Sequence, residues 1–391
     1  MDISRRQFAH LAAGTAVCSF LSRPSVALAQ AVATAGEPAL PTQAERDAMA
    51  NLARAFMAKY NVPGFSVAIG FGGKLLYQDA LGWADRESKT AVTPANRFRI
   101  ASVSKPITSV TIFSLIEQGR IKLSDKVFGP GAIFGTDYGP PPYHPHIDEI
   151  TVEHLLTHTC GGWSNAHNGP RGDDPMFINV AMNHAQLITW TLRNRPLDNP
   201  PGVHFDYSNF GYCVLGRVIE KITRQPYAAY VRDTVLKRCG IDDMAIAGNT
   251  LAQRQPGEVK YYGQSENPYG INITRMDSHG GWIARPADIV QFFMHVDGFS
   301  APPNILRPQT IQAMTTPSAA NAGYAKGWMV NKANNWWHNG TLPGISTIAV
   351  RTHGGFCWAA FTNTRSKSPS YGGDLDKLIW SMARQVKSWR V

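Results

Sequence analysis

A serine and a lysine three residues apart stand directly before a long uncharged run, and this arrangement constrains the chain more than any other. The segment reads Ser102-Val103-Ser104-Lys105, and residues 106–116 after it carry no charge. Gly119 follows as a residue that can end a helix. Side chains three apart on a helix share one face. The sequence therefore predicts a buried helix that holds the Ser102 hydroxyl and the Lys105 amine in one cleft.

Alone, the Ser-x-x-Lys spacing also describes an N-cap serine followed by a surface lysine. Two later segments change the interpretation, namely Tyr207-Ser208-Asn209 and His338-Asn339-Gly340. Penicillin-recognising serine enzymes carry Ser-x-x-Lys, then Ser-Asp-Asn or Tyr-x-Asn, then Lys-Thr-Gly or a histidine variant. The chain has these segments in the same order and broad spacing. It resembles the serine β-lactamase-related family, in particular its branch of class C β-lactamases, DD-peptidases and esterases.

The resemblance extends over nearly all of the chain after its first thirty residues, because family-like segments occur in family order at residues 62–68, 98–105, 150–159, 205–212 and 280–282. It implies an α/β (α+β) fold of the penicillin-binding-protein type. A five-stranded antiparallel sheet flanked by helices is interrupted by an inserted, mainly helical domain, and the site lies in the cleft between the two. The expected α/β domain comprises residues 43–120 and 270–391, and the inserted domain comprises residues 121–269.

Residue patterns predict the same sheet independently. Short apolar runs separated by turn residues predict strands at both ends of the chain, and a lone N-terminal hairpin would be only marginally stable. Strands from the two ends must therefore share one sheet. The expected strands are residues 65–70, 74–80, 327–330 leading into 336–340, 345–351 and 356–362, with helices at 43–60 and 375–386.

The first thirty residues have the pattern of an export signal. Ser4-Arg5-Arg6-Gln7-Phe8 is a twin-arginine motif, an alanine-rich apolar stretch follows it, and Ala27-Leu28-Ala29 is a small-residue cleavage site. An uncleaved N-terminal helix is the alternative. The apolar stretch is too short for a stable membrane span, which needs about 20 residues. The sequence therefore predicts a twin-arginine signal peptide at residues 1–29 and a periplasmic or secreted product with no membrane span.

Composition excludes several classes of protein. With 43% hydrophobic and 17% charged residues the chain is globular rather than disordered. The net charge of +10 is not gathered into a basic run, so it indicates solubility rather than nucleic-acid binding. The cysteines after the signal form no Cys-x-x-Cys pair. Because twin-arginine substrates fold before export, we expect free, mostly buried thiols at Cys160, Cys213, Cys239 and Cys357.

Ser102 is the predicted nucleophile, and it needs a base to remove its proton. Lys105 and Tyr207 are the two candidates, with reference pKa values of about 10.4 and 10. Burial would lower the pKa of Lys105, whereas its positive charge would favour phenolate at Tyr207. The two groups are expected to titrate as one unit, and the sequence leaves the choice of base open.

The resemblance implies further roles around this centre. Asn209 would hold the Lys105 amine or a substrate carbonyl, and His338 would shuttle protons or contact the substrate unless it is a solvated strand residue. Asn339 and Gly340 belong to the same binding strand, with Gly340 allowing the backbone to approach the substrate closely. The oxyanion hole would consist of the backbone N–H groups of Ser102 and Thr341.

Two departures from the family pattern bear on the substrate. His338 replaces the lysine of active β-lactamases, and Asn339 replaces a hydroxyl residue of DD-peptidases. We therefore expect an exported serine hydrolase that forms an acyl-enzyme on Ser102 from esters or amides, as a carboxylesterase or D-amino-acid peptidase does. The alternatives are β-lactamase or DD-carboxypeptidase activity, and a non-catalytic penicillin-binding or sensor-like domain.

A metallo-hydrolase is the remaining alternative, and it rests on histidine spacing. His144-Pro145-His146-Ile147-Asp148 is followed by Glu149 where metal signatures continue with histidine, and His154 and His158 lack the glutamate of His-Glu-x-x-His. We expect His154 and His158 to hydrogen-bond a loop beneath the site. The sequence thus predicts no metal and no cofactor. It predicts a small ester, amide or peptide as the substrate, and it leaves the oligomeric state open.

Overall fold

The computed structural model describes residues 40–165 and 174–389. The predicted signal peptide at residues 1–29, with Cys18, lies outside the described residues. From Pro38 onward the chain forms one compact unit, so the boundaries of the predicted inserted domain stay a prediction. All four cysteines from Cys160 onward are free and buried, which confirms the expectation from the sequence. None of the described helices is both long enough and apolar enough to cross a membrane.

Runs of strands near both ends of the chain enclose a run of helices in the middle. The helices are α1 (Gln43–Tyr60), α2 (Ser104–Glu117), α3 (Val152–Leu156), α4 (His184–Asn194), α5 (Asn209–Thr223), α6 (Tyr227–Val231), α7 (Pro286–Met294), α8 (Pro308–Thr315) and α9 (Tyr371–Ala383). The strands are β1 (Gly64–Phe71), β2 (Lys74–Asp85), β3 (Thr90–Ala91), β4 (Phe98–Arg99), β5 (Ala245–Ile246), β6 (Trp282–Ala284), β7 (Met329–Val330), β8 (Trp336–Leu342), β9 (Ile345–Arg351) and β10 (Phe356–Thr362).

The large sheet joins strands from both ends of the chain, as the sequence predicted. Its order is β3-β2-β1-β10-β9-β8-β7, and its pairs are antiparallel, with Phe65 opposite Thr362 where β1 meets β10. It has seven strands rather than the five expected, because the two-residue strands β3 and β7 extend its edges. A smaller sheet has the order β4-β6-β5. The predicted mixed α/β class with an antiparallel sheet is confirmed.

Helices cover both faces of this sheet. α1 and α9 pack together on one face, and α7 packs against β1 and β10 on the other. β9 and β10 are buried along their whole length, so neither sequence shows the regular apolar–polar alternation of a half-exposed strand. α9 begins at Tyr371, four residues before the predicted helix. Gly372 and Gly373 are poor helix formers and conceal its first turn in the sequence.

The helix predicted from the serine motif is present and buried. Every residue of α2 from Ser104 to Leu115 is buried, and Gly119 after its end has φ +70°, which glycine adopts without strain. α1 begins with a capping box between Thr42 and Glu45, which satisfies backbone donors at its first turn.

The edge of the sheet at β8 positions the site. Among the described residues of β8, only Trp336 and Trp337 pair with β7. The remainder of β8 has no strand on that side in the described part of the chain. Gly340 lies there against the chain before α2. A Cβ on Gly340 would lie 2.5 Å from the carbonyl oxygen of Ile100 and 2.9 Å from the Ala101 Cβ. Only glycine allows β8 and the serine turn to approach this closely.

Candidate active site

Ser102 lies in a tight helical turn, Ala101–Val103, that leads into α2. Ala101 has φ +47°, a left-handed conformation that costs a non-glycine residue about 1–2 kcal/mol and is therefore held by its surroundings. Thr347 Oγ1 donates to the Ile100 carbonyl oxygen at 2.9 Å and fixes the chain just before the turn. Ser102 is half-buried between buried neighbours, and it lines a cleft of about 250 Å³.

Lys105 lies beneath Ser102 and is fully buried. Its Nζ is 3.1 Å from Ser102 Oγ, 2.7 Å from Asn209 Oδ1 and 3.3 Å from the His279 carbonyl oxygen. Burial holds the pKa of Lys105 well below its usual value, against the opposing charge of Asp174. A neutral amine has two hydrogens and one lone pair. Since the two carbonyl oxygens can only accept, the lone pair is directed at the Ser102 hydroxyl.

Tyr207 precedes α5 and borders the same cleft. Its hydroxyl is hydrogen-bonded to the Ser102 side chain, and burial raises the pKa of its phenol above the usual value. The Lys105 Nζ lies 4.7 Å from the centre of the Tyr207 ring. Burial thus disfavours the charged form of each group, the ammonium of Lys105 and the phenolate of Tyr207. The structure therefore favours Lys105 as the base and leaves Tyr207 able to act as an acid.

Asn209 is the first residue of α5, and two residues that the sequence did not indicate hold it in place. The buried Asp174 accepts the Asn209 backbone N–H at 2.7 Å and the Met176 N–H at 2.9 Å. Asn209 Nδ2 donates to Asn165 Oδ1 at 3.1 Å, which leaves its Oδ1 turned to Lys105. Burial raises the pKa of Asp174 to about 6. A carboxylate at a helix N-terminus was not detectable from the sequence, because the contact joins residues 35 apart.

The structure places the His338 side chain in the interior, so its predicted contact with substrate or proton shuttling stays a prediction. His338 is 1% exposed and is not among the described residues that line the cleft. Side chains alternate between the two faces of a strand. Asn339 and Thr341 are exposed and line the cleft, whereas His338 and Gly340 are buried and are not in its described lining. The alternative that His338 is a solvated strand residue is wrong, because its side chain is buried.

A chain of hydrogen bonds connects the His338 ring to the segment that carries Tyr207. The Ser208 N–H donates to His158 Nδ1 at 3.1 Å, so His158 Nε2 carries the proton and donates to Tyr324 Oη at 3.0 Å. Tyr324 Oη lies 3.3 Å from His338 Nε2, and His338 Nδ1 donates to the Asn339 carbonyl oxygen at 2.6 Å. Burial lowers the pKa of His338 to about 3 and holds the pKa of His158 well below its usual value. Both rings are neutral.

The remaining predicted residues are placed as follows. Thr341 and Ser102 border the same cleft, and the use of their backbone N–H groups as an oxyanion hole stays a prediction. Gly340 was expected to allow close approach to the substrate, but its close neighbours are the serine turn and Thr347.

The histidines considered for a metal site bind other partners. Within residues 40–165 and 174–389, no group of three or more His, Cys, Asp or Glu could hold a metal ion. His144 Nε2 is 3.0 Å from the Arg193 carbonyl oxygen, and His146 Nδ1 is 3.1 Å from Glu149. His154 Nδ1 accepts the Thr151 N–H at 3.2 Å in a capping box. His158 bonds the loop beneath the site, as the sequence predicted.

Comparison with known proteins agrees with this geometry. Residues 49–379 match the beta-lactamase family, a span that contains the serine turn, the Tyr207 segment and β8. The chain belongs to the beta-lactamase family. It thus has the fold and the motif set of a serine hydrolase of the β-lactamase and penicillin-binding-protein type.

Two curated relatives are distant. "Protein flp" of Staphylococcus aureus (strain MRSA252) is 25% identical over 303 residues, which are 75% of this chain and 58% of the relative. "Penicillin-binding protein 4*" of Bacillus subtilis (strain 168) is 25% identical over 316 residues, 72% of this chain and 63% of the relative. The chain thus spans about three fifths of the length of these proteins.

A solved structure shares the fold over more of its length. The D-amino acid amidase from Ochrobactrum anthropi SV3, complexed with L-phenylalanine amide, superimposes with a TM-score of 0.69 and 19% identity, covering 88% of this chain and 98% of the amidase. At this identity the likeness establishes the fold.

Proposed function

We propose that this protein hydrolyses small esters or amides through an acyl-enzyme on Ser102. The observation that carries the proposal is the 3.1 Å contact between Lys105 Nζ and Ser102 Oγ, made by a buried amine whose two other hydrogen-bond neighbours can only accept. A neutral amine in this position can take the serine proton as the hydroxyl attacks a carbonyl.

The reaction follows from the groups in place. Ser102 Oγ attacks the carbonyl carbon and its proton passes to Lys105 Nζ, while the backbone N–H groups of Ser102 and Thr341 stabilise the oxyanion. One such donor contributes about 2.7–4 kcal/mol in the transition state. Tyr207 gives its proton to the leaving alcohol or amine and regains one from the Lys105 ammonium. Water then attacks the acyl-enzyme with the same base, which releases the acid and frees Ser102.

The cleft favours uncharged substrates over β-lactam antibiotics. No lysine or arginine occurs among the described residues that line it, whereas penicillins and cephalosporins carry a carboxylate. Phe177, Met276, Met329 and Leu342 supply an apolar wall instead. The fold is shared with a protein named D-amino acid amidase. We therefore place neutral esters and D-amino-acid amides ahead of β-lactams and D-Ala-D-Ala peptides.

Comparing initial rates on a p-nitrophenyl ester, a D-alanine anilide and a chromogenic cephalosporin tests this. We expect turnover of the ester or the anilide, an acyl adduct on Ser102 by mass spectrometry, and loss of both in Ser102→Ala. Ser104→Ala is the matched control, because the Ser104 hydroxyl is buried with no hydrogen-bond partner among the described residues. No turnover of any of the three, or activity that depends on Ser104, would reject the proposal. Fast cephalosporin hydrolysis would instead favour the β-lactamase alternative.

We also propose export by the twin-arginine route to the periplasm or beyond the cell. The support is the motif at Arg5-Arg6 with the cleavage site at Ala27-Leu28-Ala29. Replacing both arginines with lysine should leave the protein uncleaved in the cytoplasm. Unchanged processing in that variant would argue against this route.

A further inference from the structure

A second groove adjoins the serine cleft along β8. It has a volume of about 300 Å³ and lies between β8, β9 and the start of α9. Asn339 and Thr341 line both the groove and the cleft, so the two are neighbours along one strand. A substrate whose reacting carbonyl is at Ser102 can extend past Asn339 and Thr341 into this groove.

The groove contains two tryptophans and one carboxylate. Trp337 and Trp380 line it, with Asp376 one helical turn before Trp380 on α9. Asp376 is hydrogen-bonded to the Trp380 side chain. The Trp380 ring is itself fixed, because it packs edge-on against Trp358 with centroids 4.7 Å apart. The two groups on α9 therefore have a defined geometry before any ligand arrives.

Asp376 has no ion-pair partner among the described residues, although the positive charge of the neighbouring Lys377 acts on it. By contrast, Asp374 on the same helix is 2.7 Å from Lys59. No lysine or arginine is among the described residues lining the groove. Arg384 lies near Trp380, with its guanidinium 5.8 Å from the ring centre, but it is not part of that lining. Asp376 is half-buried, and burial raises the pKa of its carboxyl.

We infer that this groove binds an ammonium group carried on an extension of the substrate. The inference rests on the proposed hydrolase function and names the kind of substrate that function uses. A cation is attracted both by a carboxylate and by the faces of tryptophan rings, and the attraction strengthens as water is excluded. A neutral apolar extension would leave the Asp376 charge partly buried and unpaired, so the groove discriminates in favour of amines.

Matched pairs of charged and neutral esters test the inference. The first pair is p-nitrophenyl 6-aminohexanoate and p-nitrophenyl heptanoate, which places the charge on the acyl side. The second is choline butyrate and its neutral carbon isostere 3,3-dimethylbutyl butyrate, which places it on the leaving group. In at least one pair we expect kcat/KM to be about fivefold to thirtyfold higher for the charged ester.

Three variants assign that preference to the groove. Asp376→Asn and Trp337→Leu should each reduce it to about threefold or less, mainly through a lower kcat/KM for the charged ester, and turnover of the neutral esters should still depend on Ser102. Asp374→Asn is the control on the same helix and should keep the preference. If Asp376→Asn fails to fold, as judged by thermal unfolding, Trp337→Leu carries the test.

The outcomes separate this inference from the hydrolase proposal. Turnover of the neutral esters that depends on Ser102, with no preference in either pair, would overturn the groove inference alone. A preference that survives both Asp376→Asn and Trp337→Leu would also overturn it. Absence of turnover on every ester would reject the hydrolase proposal instead.

Discussion

The hydroxyl of Tyr324 lies 3.3 Å from Nε2 of His338, and it determines how this histidine serves the site. Because His158 donates to the same oxygen, the proton of Tyr324 can be directed at either of two neighbours, Tyr212 or His338. The His338 ring donates from Nδ1, so it can accept at Nε2 only when it is neutral. Through Tyr324 and His158, the imidazole links the backbone of Ser208, next to Tyr207, to the Asn339 carbonyl on β8. His338 positions the two walls of the cleft relative to each other, and it does so as a neutral group.

His338→Lys should damage the protein rather than make it a better β-lactamase. An ammonium at this buried position would lie near Lys105 and could not accept the Tyr324 proton. We expect a loss of about 3–5 kcal/mol in unfolding free energy, lower ester turnover, and no gain on cephalosporin. His353→Lys is the control, since His353 is exposed. Thermal unfolding and kcat/KM measure the effect, and a stable variant with raised cephalosporin activity would contradict it.

Asp174→Asn should move the acid limb of the pH profile. Lys105 acts as a base only when unprotonated, so kcat/KM rises as pH increases through its pKa. The Asp174 anion raises that pKa, and removing the charge lowers it further, so the limb shifts to lower pH. The other titratable groups around Lys105 are Tyr207, Tyr212, His158, His338 and His279.

The pH profile from 4 to 9 separates the electrostatic effect of Asp174 from its structural one. Loss of the backbone hydrogen bonds that Asp174 accepts would lower kcat at every pH. It would not move the limb. A lower rate with an unmoved limb would mean that Asp174 only positions Asn209, and a limb moved to higher pH would contradict the assignment of Lys105 as the base.

Tyr207→Phe should discriminate between leaving groups. The raised pKa of Tyr207 keeps the phenol protonated, so it has a proton to give. An amine or alkoxide must be protonated as it leaves, whereas p-nitrophenolate leaves unaided. We expect a loss of about 10²–10⁴-fold in kcat for anilides and alkyl esters, and a much smaller loss for p-nitrophenyl esters. Lys105→Ala should abolish both activities. Equal losses on both substrate types in Tyr207→Phe would indicate that Tyr207 acts elsewhere in the reaction.

Gly340→Ala should disrupt the serine turn. Its methyl group would lie 2.5 Å from both the Ile100 carbonyl oxygen and Thr347 Oγ1, so β8 and the turn must move apart. We expect at least about tenfold lower kcat/KM and about 1–3 kcal/mol lower stability. Gly372→Ala is the control, because nothing lies within 4 Å of its added methyl group. Activity measurements and chemical denaturation check both variants, and a Gly340→Ala enzyme equal to wild type would contradict the proposed contact.

The sequence alone determined the elements of the site that depend on local spacing. Ser102 and Lys105 are three apart on one helical turn, and the uncharged run after them could only be a buried helix, so their meeting followed from helical geometry. The five long strands and the placement of Tyr207-x-Asn209 opposite the serine followed from residue patterns and from family resemblance. Those strands and the contacts of Ser102 with Lys105 and Tyr207 are as predicted, and the catalytic roles of these residues stay predictions.

Only the tertiary structure shows how burial shifts the pKa values of the two candidate bases and where the His338 ring lies. Burial sets the pKa values of Lys105 and Tyr207, and it is known only once the surrounding helices are placed. The strand alternation that turns His338 inward and Asn339 outward depends on register, and a shift of one residue would reverse it. Asp174 and Tyr324 contact neighbours remote in sequence, so no local pattern marks them. Sequence spacing determines which side chains of one helix can meet, and tertiary packing determines their pKa values and their orientation.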